Sequence, residues 1–336
     1  MSQQQFEQIA TDAINTIRIL SADAVEKANS GHPGTPMEAA PIAYLLYQKH
    51  MRHNPANPEW AGRDRFILSC GHASMLLYSS LFLSGYDLSL DDLKNFRQLG
   101  SPTAGHPEFG HLPGIETTTG PLGQGIAVAA GMAMGGRFLQ KNVSDELFNY
   151  RTYCLCSDGD LMEGVSSEAA SLAGHLRLGN LICLYLDNKI TIEGDTSLAF
   201  TEEVATRYLS YGWQVQHVEG ENLADINRAI EKAKHSPRPS LILARTHIGF
   251  GAPNKQDTAA AHGAPLGADE LALAKQTLGL DPQAAFQVPE DVVSHMGAVK
   301  TKGAELEATW QKTFTTELKN NTELKAWPRR WCWRCR

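Results

Sequence analysis

RTYCLCSDGDLMEGVSSEAASLAGHLRLGNLICLYLDNKI, residues 151–190, decides the fold. Two short apolar runs, 152–157 and 181–186, flank a small-residue segment with helical spacing at 166–176. Neither run alternates apolar with polar, which is the pattern of strands covered on both faces. A strand, a crossover helix and a second strand form a parallel pair. The alternation continues with a helix at 202–211, a strand at 213–217, a helix at 223–235 and a strand at 240–244. The expected fold is therefore α/β, a doubly wound parallel sheet flanked by helices.

Upstream, apolar residues at helical spacing predict a helix over 5–29, broken by Ser30-Gly31-His32-Pro33-Gly34. A second helix is expected over 37–50, a strand over 65–69 running into Cys70-Gly71-His72, and helices over 73–84 and 89–96. From 100 to 125 the chain is rich in Gly, Pro, Thr and His and shows little periodicity; so long a loop in a compact domain points to function. A small-residue helix follows at 126–139. Residues 249–266 read as a second loop, 269–278 as a helix, and 302–320 as a charged, solvent-facing helix.

The formal net charge of −7 argues against a nucleic-acid binder. No apolar run reaches the roughly 18 residues of a membrane span. The N-terminal segment lacks the basic start and apolar core of a signal peptide, so a cytoplasmic location is expected. Of six cysteines, Cys154, Cys156 and Cys183 lie in strand-like runs and read as buried thiols. Cys332 and Cys335 have metal or redox spacing but no second pair. They belong to AWPRRWCWRCR, 326–336, which holds three of the six Trp and matches nothing earlier in the chain; a frame change or truncation is the expected origin.

In an open parallel sheet, ligands sit beyond the carboxyl ends of the strands. Two strands here run into Asp158 and Asn188, thirty residues apart. Each alone is as readily a turn former. Together, a carboxylate and an amide oxygen suit Mg²⁺ or Ca²⁺, and Mg²⁺ completes its shell with phosphate oxygens and water. Five of the twelve histidines sit in glycine-rich loops: His32, His72, His106, His111 and His262. Imidazoles clustered in a cleft can donate to phosphate or hydroxyl oxygens and shuttle protons near neutral pH.

The motifs NSGHPG (29–34), RDRFILSCGHASMLLY (63–78), TAGHPEFGHLPGIETTTGPLGQG (103–125), SDGDLMEGVSSEAASLAG (157–174), LDNKITIEG (186–194), IGFGAPNK (248–255) and AHGAPLG (261–267), in this order, resemble transketolase. The resemblance covers about residues 5 to 280 and implies thiamine diphosphate and a divalent cation as cofactors. It implies that Asp158, the side chain of Asn188 and the backbone carbonyl of Ile190 hold Mg²⁺ or Ca²⁺ against the diphosphate. Gly159 and His72 would contact the diphosphate, and Gly120, Pro121 and Leu122 the cofactor rings. His32, His106 and His262 would line the substrate channel, bind sugar hydroxyls and assist proton transfers, with His262 also reaching the diphosphate. Glu163 resembles the family acid near the subunit contact. The implied reaction moves a two-carbon ketol unit from a ketose phosphate to an aldose phosphate; a thiazolium ylid supplies the electron sink that side chains lack.

Two departures from the family pattern stand out. Ser157 replaces the first glycine of the thiamine signature; if that position needs positive φ, serine costs about 1 kcal/mol there. The family is also about twice this length. The remainder carries the pyrimidine-binding domain, with the glutamate that activates the cofactor and the basic residues for substrate phosphate. The expected organisation is a diphosphate-binding domain over 1–280, the start of an interdomain linker over 281–325 and the atypical tail over 326–336. Activity of the chain alone is not expected. Its partner would be a second chain supplying the pyrimidine domain, or a second copy in a full-length homodimer. A cofactor-binding module without catalysis and a sister thiamine enzyme such as deoxyxylulose-phosphate synthase are the alternatives; TTGPLGQG and HGAPLG favour transketolase.

Overall fold

The computed structural model describes residues 2–331. Helix α1 (Gln3–Ala28) opens with a reciprocal cap, in which the Ser2 hydroxyl accepts from Gln5 N and Gln5 accepts from Ser2 N. It ends at Asn29 in the left-handed conformation, φ 48°. Helix α2 (Gly34–Leu45) is buried at every position. The single helix expected over 37–50 finishes instead in a π-turn, Leu46–His50. After strand β1 (Arg65–Leu68) come α3 (Ser74–Ser84) and α4 (Leu90–Lys94), the latter capped by Ser89 and Asp92. Then α5 (Gln124–Asn142), β2 (Thr152–Ser157), α6 (Asp158–Met162), α7 (Gly164–His175) and β3 (Leu181–Asp187) follow. A two-residue hairpin, β4 (Ile190–Thr191) and β5 (Gly194–Asp195), precedes α8 (Val204–Ser210), β6 (Gln214–Glu219), α9 (Leu223–Lys234) and β7 (Ser240–Arg245).

The main sheet is parallel throughout, in the order β1-β2-β3-β7-β6. Side chains alternate between its faces. Tyr153, Leu155, Ile182, Leu184, Leu186, Ile242 and Ala244 join the core under α1, α2, α3 and α9. Cys154, Cys156, Cys183, Tyr185, Leu241 and Leu243 join the core under α5, α7 and α8. Both faces are dry, which is why the strands read as continuous apolar runs. The thiols of Cys70, Cys154, Cys156 and Cys183 are free and buried; burial pushes those of Cys70 and Cys156 well up, and the hydrogen bond with Cys183, then burial, does the same to Cys154.

The chain after β7 returns to the same body. Lys275 of α10 (Ala268–Thr277) pairs with Asp23 of α1 at 2.6 Å, both sealed from water, and Asp23 also accepts from Phe286 N. Helix α11 (Glu290–Gly297) places Val292 and Met296 in the core beside α1 and α3. Helix α12 (Val299–Glu317), expected to face solvent, is anchored along one side. Trp310 donates to the Leu147 carbonyl at 2.9 Å and stacks on Phe314, and Glu307 accepts from Asn54 at 2.6 Å. Its charged residues conceal an apolar stripe that is four positions in period. The last helix, α13 (Thr322–Trp331), buries Leu324 and sets Trp327 against Phe148, ring centroids 5.1 Å apart. Cys332 and Cys335 lie outside the described residues. Among those residues no helix is long and apolar enough to cross a membrane.

Leu184 sits at the middle of the central strand and is inaccessible to water. Leu184→Ala is expected to cost about 2–5 kcal/mol in urea unfolding, whereas Leu209→Ala on the exposed side of α8 stays within about 0.5 kcal/mol. Comparable losses at both positions would contradict this layer assignment.

Candidate active site

Parallel pairing with Ser157 opposite Leu186 brings the ends of β2 and β3 to one rim. Asp158 follows the first strand and Asn188 the second. Both are buried, and a backbone bond joins the two segments: Lys189 N donates to Asp158 Oδ2 at 3.2 Å. The Tyr185 hydroxyl donates to the other oxygen of Asp158. Asn188 Oδ1 accepts from Ile190 N at 2.8 Å, which curls the loop after β3. Between them Lys189 takes φ 67°, a left-handed conformation that is unfavourable for lysine by about 1–2 kcal/mol. Burial raises the Asp158 carboxyl to about 6 despite these donors, with Asp187 adding repulsion.

The first place of the signature carries no backbone strain. Ser157 has φ −124° and ψ 179°, extended backbone that serine adopts freely, so the penalty considered for a missing glycine does not arise. Its N–H donates to Asp160 at 3.0 Å.

Asp160 organises the floor of the site, and sequence reasoning did not single it out. Wholly buried, it accepts from Ser69 Oγ at 2.7 Å and Gly123 N at 2.8 Å through one oxygen, and from Ser157 N through the other. One carboxylate thus ties the end of β1, the 120–123 loop and the end of β2 together. Burial raises its pKa; these three hydrogen bonds, with a fourth from the Ser157 hydroxyl, oppose that rise. The signal that could have found it is its spacing: an acid three positions after a strand-ending Ser, where it closes a capping box.

Four of the five loop histidines converge. His32, His72 and His262 form a triangle with ring centroids 5.0, 5.3 and 5.8 Å apart. Close backbone approaches set it. A side chain at Gly34 would lie 2.4 Å from the Ala261 carbonyl oxygen, so only glycine lets the 248–262 loop descend on α2 and place His262 beside His32. At Gly71 a Cβ would meet the Thr119 and Gly120 backbone at 2.8 and 2.9 Å, which keeps His72 beside the 119–122 loop. His106 packs on Gly120, held by Tyr78 and Ser74 of α3 through the carbonyls of Ala104, Gly105 and His106. The fifth, His111, points outward and pairs with Glu108 at 3.3 Å. His247 pairs with Asp257 at 2.9 Å.

The imidazoles resist protonation. Burial, then repulsion from His262, Arg97 and His106, lowers His32 to about 4. Burial lowers His72, His106 and His262 as well. Arg97, whose guanidinium also reaches the Ser30 hydroxyl at 2.8 Å, is the cation in this cleft that the sequence did not advertise. The Nδ1 atoms of His32 and His262 have no protein partner among the described residues. Leu122 lies over Gly159; Gly120 and Leu122 are half-buried, and Pro121 is exposed at the mouth. Glu163 is exposed at the start of α7, its Cβ close against Gly123.

Among the described residues no group of three or more His, Cys, Asp or Glu is placed to hold a metal. The expected set is of another kind: one carboxylate, one amide oxygen and one carbonyl.

A parallel α/β domain with buried acids and clustered imidazoles at the carboxyl rim of its strands belongs to the cofactor-binding class. The family model "Transketolase, thiamine diphosphate binding domain" matches residues 9–331, and the chain belongs to that family. It is 56% identical over 316 residues to a transketolase of Halalkalibacterium halodurans, covering 93% of this chain and 47% of that protein. With a Bacillus subtilis transketolase it shares 53% identity, over 91% of this chain and 47% of the relative. Among solved structures, transketolase from Campylobacter jejuni matches at TM-score 0.91 and 47% identity, covering 95% of this chain and 49% of that one. A Pichia stipitis transketolase complexed with sedoheptulose-7-phosphate matches at TM-score 0.92 and 46% identity, over 96% and 48%. The chain spans about half the length of the curated relatives it matches.

Asp160→Asn replaces two acceptor oxygens by one and is expected to lower stability by about 1–3 kcal/mol, read by thermal unfolding; an unchanged melting temperature would contradict its bridging role. A second expectation concerns His32. Its folded pKa lies below the unfolded value of about 6.5, so the unfolded chain binds more protons and the native state loses stability as pH falls from about 6.5 toward 4. The melting-temperature difference between wild type and His32→Asn should be flat above pH 7 and move against the wild type below it. A difference independent of pH would contradict a neutral His32.

Proposed function

We propose that this chain supplies the diphosphate- and cation-holding half of a transketolase active site, which moves a two-carbon ketol unit between sugar phosphates once a pyrimidine-binding domain completes it. The observation that carries the reading is the bond from Lys189 N to Asp158, which draws two strand ends into one polar rim.

The residues fit the cofactors. Asp158, buried and raised to about 6 with no cation in bonding contact with its oxygens among the described residues, would join an amide oxygen and the Ile190 carbonyl in an all-oxygen donor set of the kind Mg²⁺ or Ca²⁺ takes with phosphate and water. His32 and His262 offer buried nitrogens without protein partners. When bound, thiamine diphosphate supplies the electron sink for breaking a carbon–carbon bond beside a carbonyl.

In this reading Asp158, Asn188 and Ile190 hold the cation, and Gly159, His72 and His262 take the diphosphate. Gly120, Pro121 and Leu122 flank the rings. His32, His106 and His262, kept neutral by burial, each present one nitrogen as donor and one as acceptor, suited to sugar hydroxyls and to moving a proton near pH 7. A partner is supported by the outer face of α5 and α7, where Met134, Phe138, Val165, Leu172 and Leu176 are all exposed. Glu163 borders that face. A cytoplasmic setting agrees with the sugar-phosphate chemistry.

Calorimetric titration tests the reading. Thiamine diphosphate is expected to bind the chain in a Mg²⁺-dependent manner, at least about tenfold more weakly in Asp158→Ala. Binding indifferent to both metal and mutation would sink it. The chain alone should turn over no sugar phosphate, and adding a separately produced pyrimidine domain from a relative should restore ketol transfer; turnover by the isolated chain would refute the half-site reading.

A further inference from the structure

Helix α2 is buried at all twelve positions and apolar at most of them, yet it carries Glu38, which is inaccessible to water. Thr35 and Glu38 lie three positions apart, hence on one face, and both point at the site: Thr35 Oγ1 lies 3.5 Å from His72 Nε2, and Glu38 Oε1 accepts from Asn188 Nδ2 at 2.7 Å. The groups that act on the Glu38 carboxyl are the Thr246 hydroxyl, the Asn188 amide, Asp158 and Asp257; none is cationic. Its second oxygen, Oε2, has no hydrogen bond of good geometry among the described residues. A sealed acid without a cation is costly, and apolar side chains fill the rest of this helix. The contact that accounts for an acid here is the one to Asn188.

An amide side chain can present either oxygen or nitrogen to a given direction, and only the oxygen binds a cation. Glu38 Oε1 accepts from Asn188 Nδ2, which turns the amide nitrogen to the helix side. Asn188 Oδ1 is then directed to the loop, where Ile190 N occupies one lone pair. We propose that Glu38 is a positioning residue for the cation site, fixing the Asn188 amide through its Nδ2–H bond so that the second lone pair of Oδ1 faces the space shared with Asp158 and the Ile190 carbonyl. This rests on the reading of Asp158, Asn188 and Ile190 as cation ligands. Glu38 itself stands behind the ligand, bonded to Asn188 alone among the three.

Mg²⁺ titrated calorimetrically into the 336-residue chain in the presence of thiamine diphosphate tests this, with Glu38→Met, Glu38→Gln and Asp158→Ala compared. Glu38→Met keeps the volume and removes the acceptor; Mg²⁺ affinity should fall at least tenfold. Glu38→Gln keeps an acceptor oxygen and should stay within threefold of wild type. Wild-type affinity in Glu38→Met, or a loss in Glu38→Gln equal to that in Glu38→Met, would overturn the positioning role. In either case a loss in Asp158→Ala leaves the cation site standing. Undiminished affinity in Asp158→Ala would remove the cation site itself. Should Glu38→Met not fold, the Asn188 side-chain amide resonance decides with Glu38→Gln: it shifts if Glu38 is its acceptor, and an unmoved resonance contradicts the proposal.

Discussion

Parallel pairing of β2 with β3 forces two buried oxygen-bearing side chains to the same rim, and the site depends on that constraint. Ser157 stands opposite Leu186, so Asp158 and the 187–190 loop emerge side by side, and Lys189 N reaches back to Asp158. Water is excluded on both faces of the sheet, so the carboxylate cannot be solvated from behind. Burial drives its pKa up, and Glu38 beneath Asn188 is pushed up to about 8 for the same reason. Neither acid is bonded to a cationic side chain among the described residues, and burial holds both above the usual carboxylate range.

The remaining elements keep that region enclosed and bring donors to it. Asp160 ties three segments under the floor, and the glycines at 34 and 71 let two loops close to backbone contact. The histidine triangle meets helix α2 through His72, whose Nε2 lies 3.5 Å from Thr35 Oγ1, one turn before Glu38. In the proposed function a cation would meet the acids and an anion the imidazole and backbone donors. The strained turn at Lys189 falls between two expected ligands, where local cost is tolerated for placement.

Much of this was legible in the sequence. The apolar runs at 152–157 and 181–186 read as strands of a covered parallel sheet, which the structure bears out, and their ends pointed to Asp158 and Asn188. The loop histidines were legible as a group because their glycine-rich settings mark close approach; His111 shared the setting but points outward, since local composition does not fix direction. What remained illegible depended on distant contacts. Glu38 sits in a helix with no polar pattern, and its meaning lies in Asn188, far along the chain. Asp160 and Arg97 acquire roles only when three segments meet. Helix α12 looked solvent-facing because its apolar contacts, Trp310 and Phe314, are few among many charges. The serine at 157 looked like a conformational cost because the backbone angle it adopts cannot be read from the motif.

The most direct measurement of the central claim is anomalous diffraction from crystals of this chain grown with Mn²⁺ and thiamine diphosphate. The account predicts one strong peak at about 2 Å from an Asp158 carboxylate oxygen, Asn188 Oδ1 and the Ile190 carbonyl together. A peak elsewhere, or a cofactor bound with no metal between it and Asp158, would contradict it.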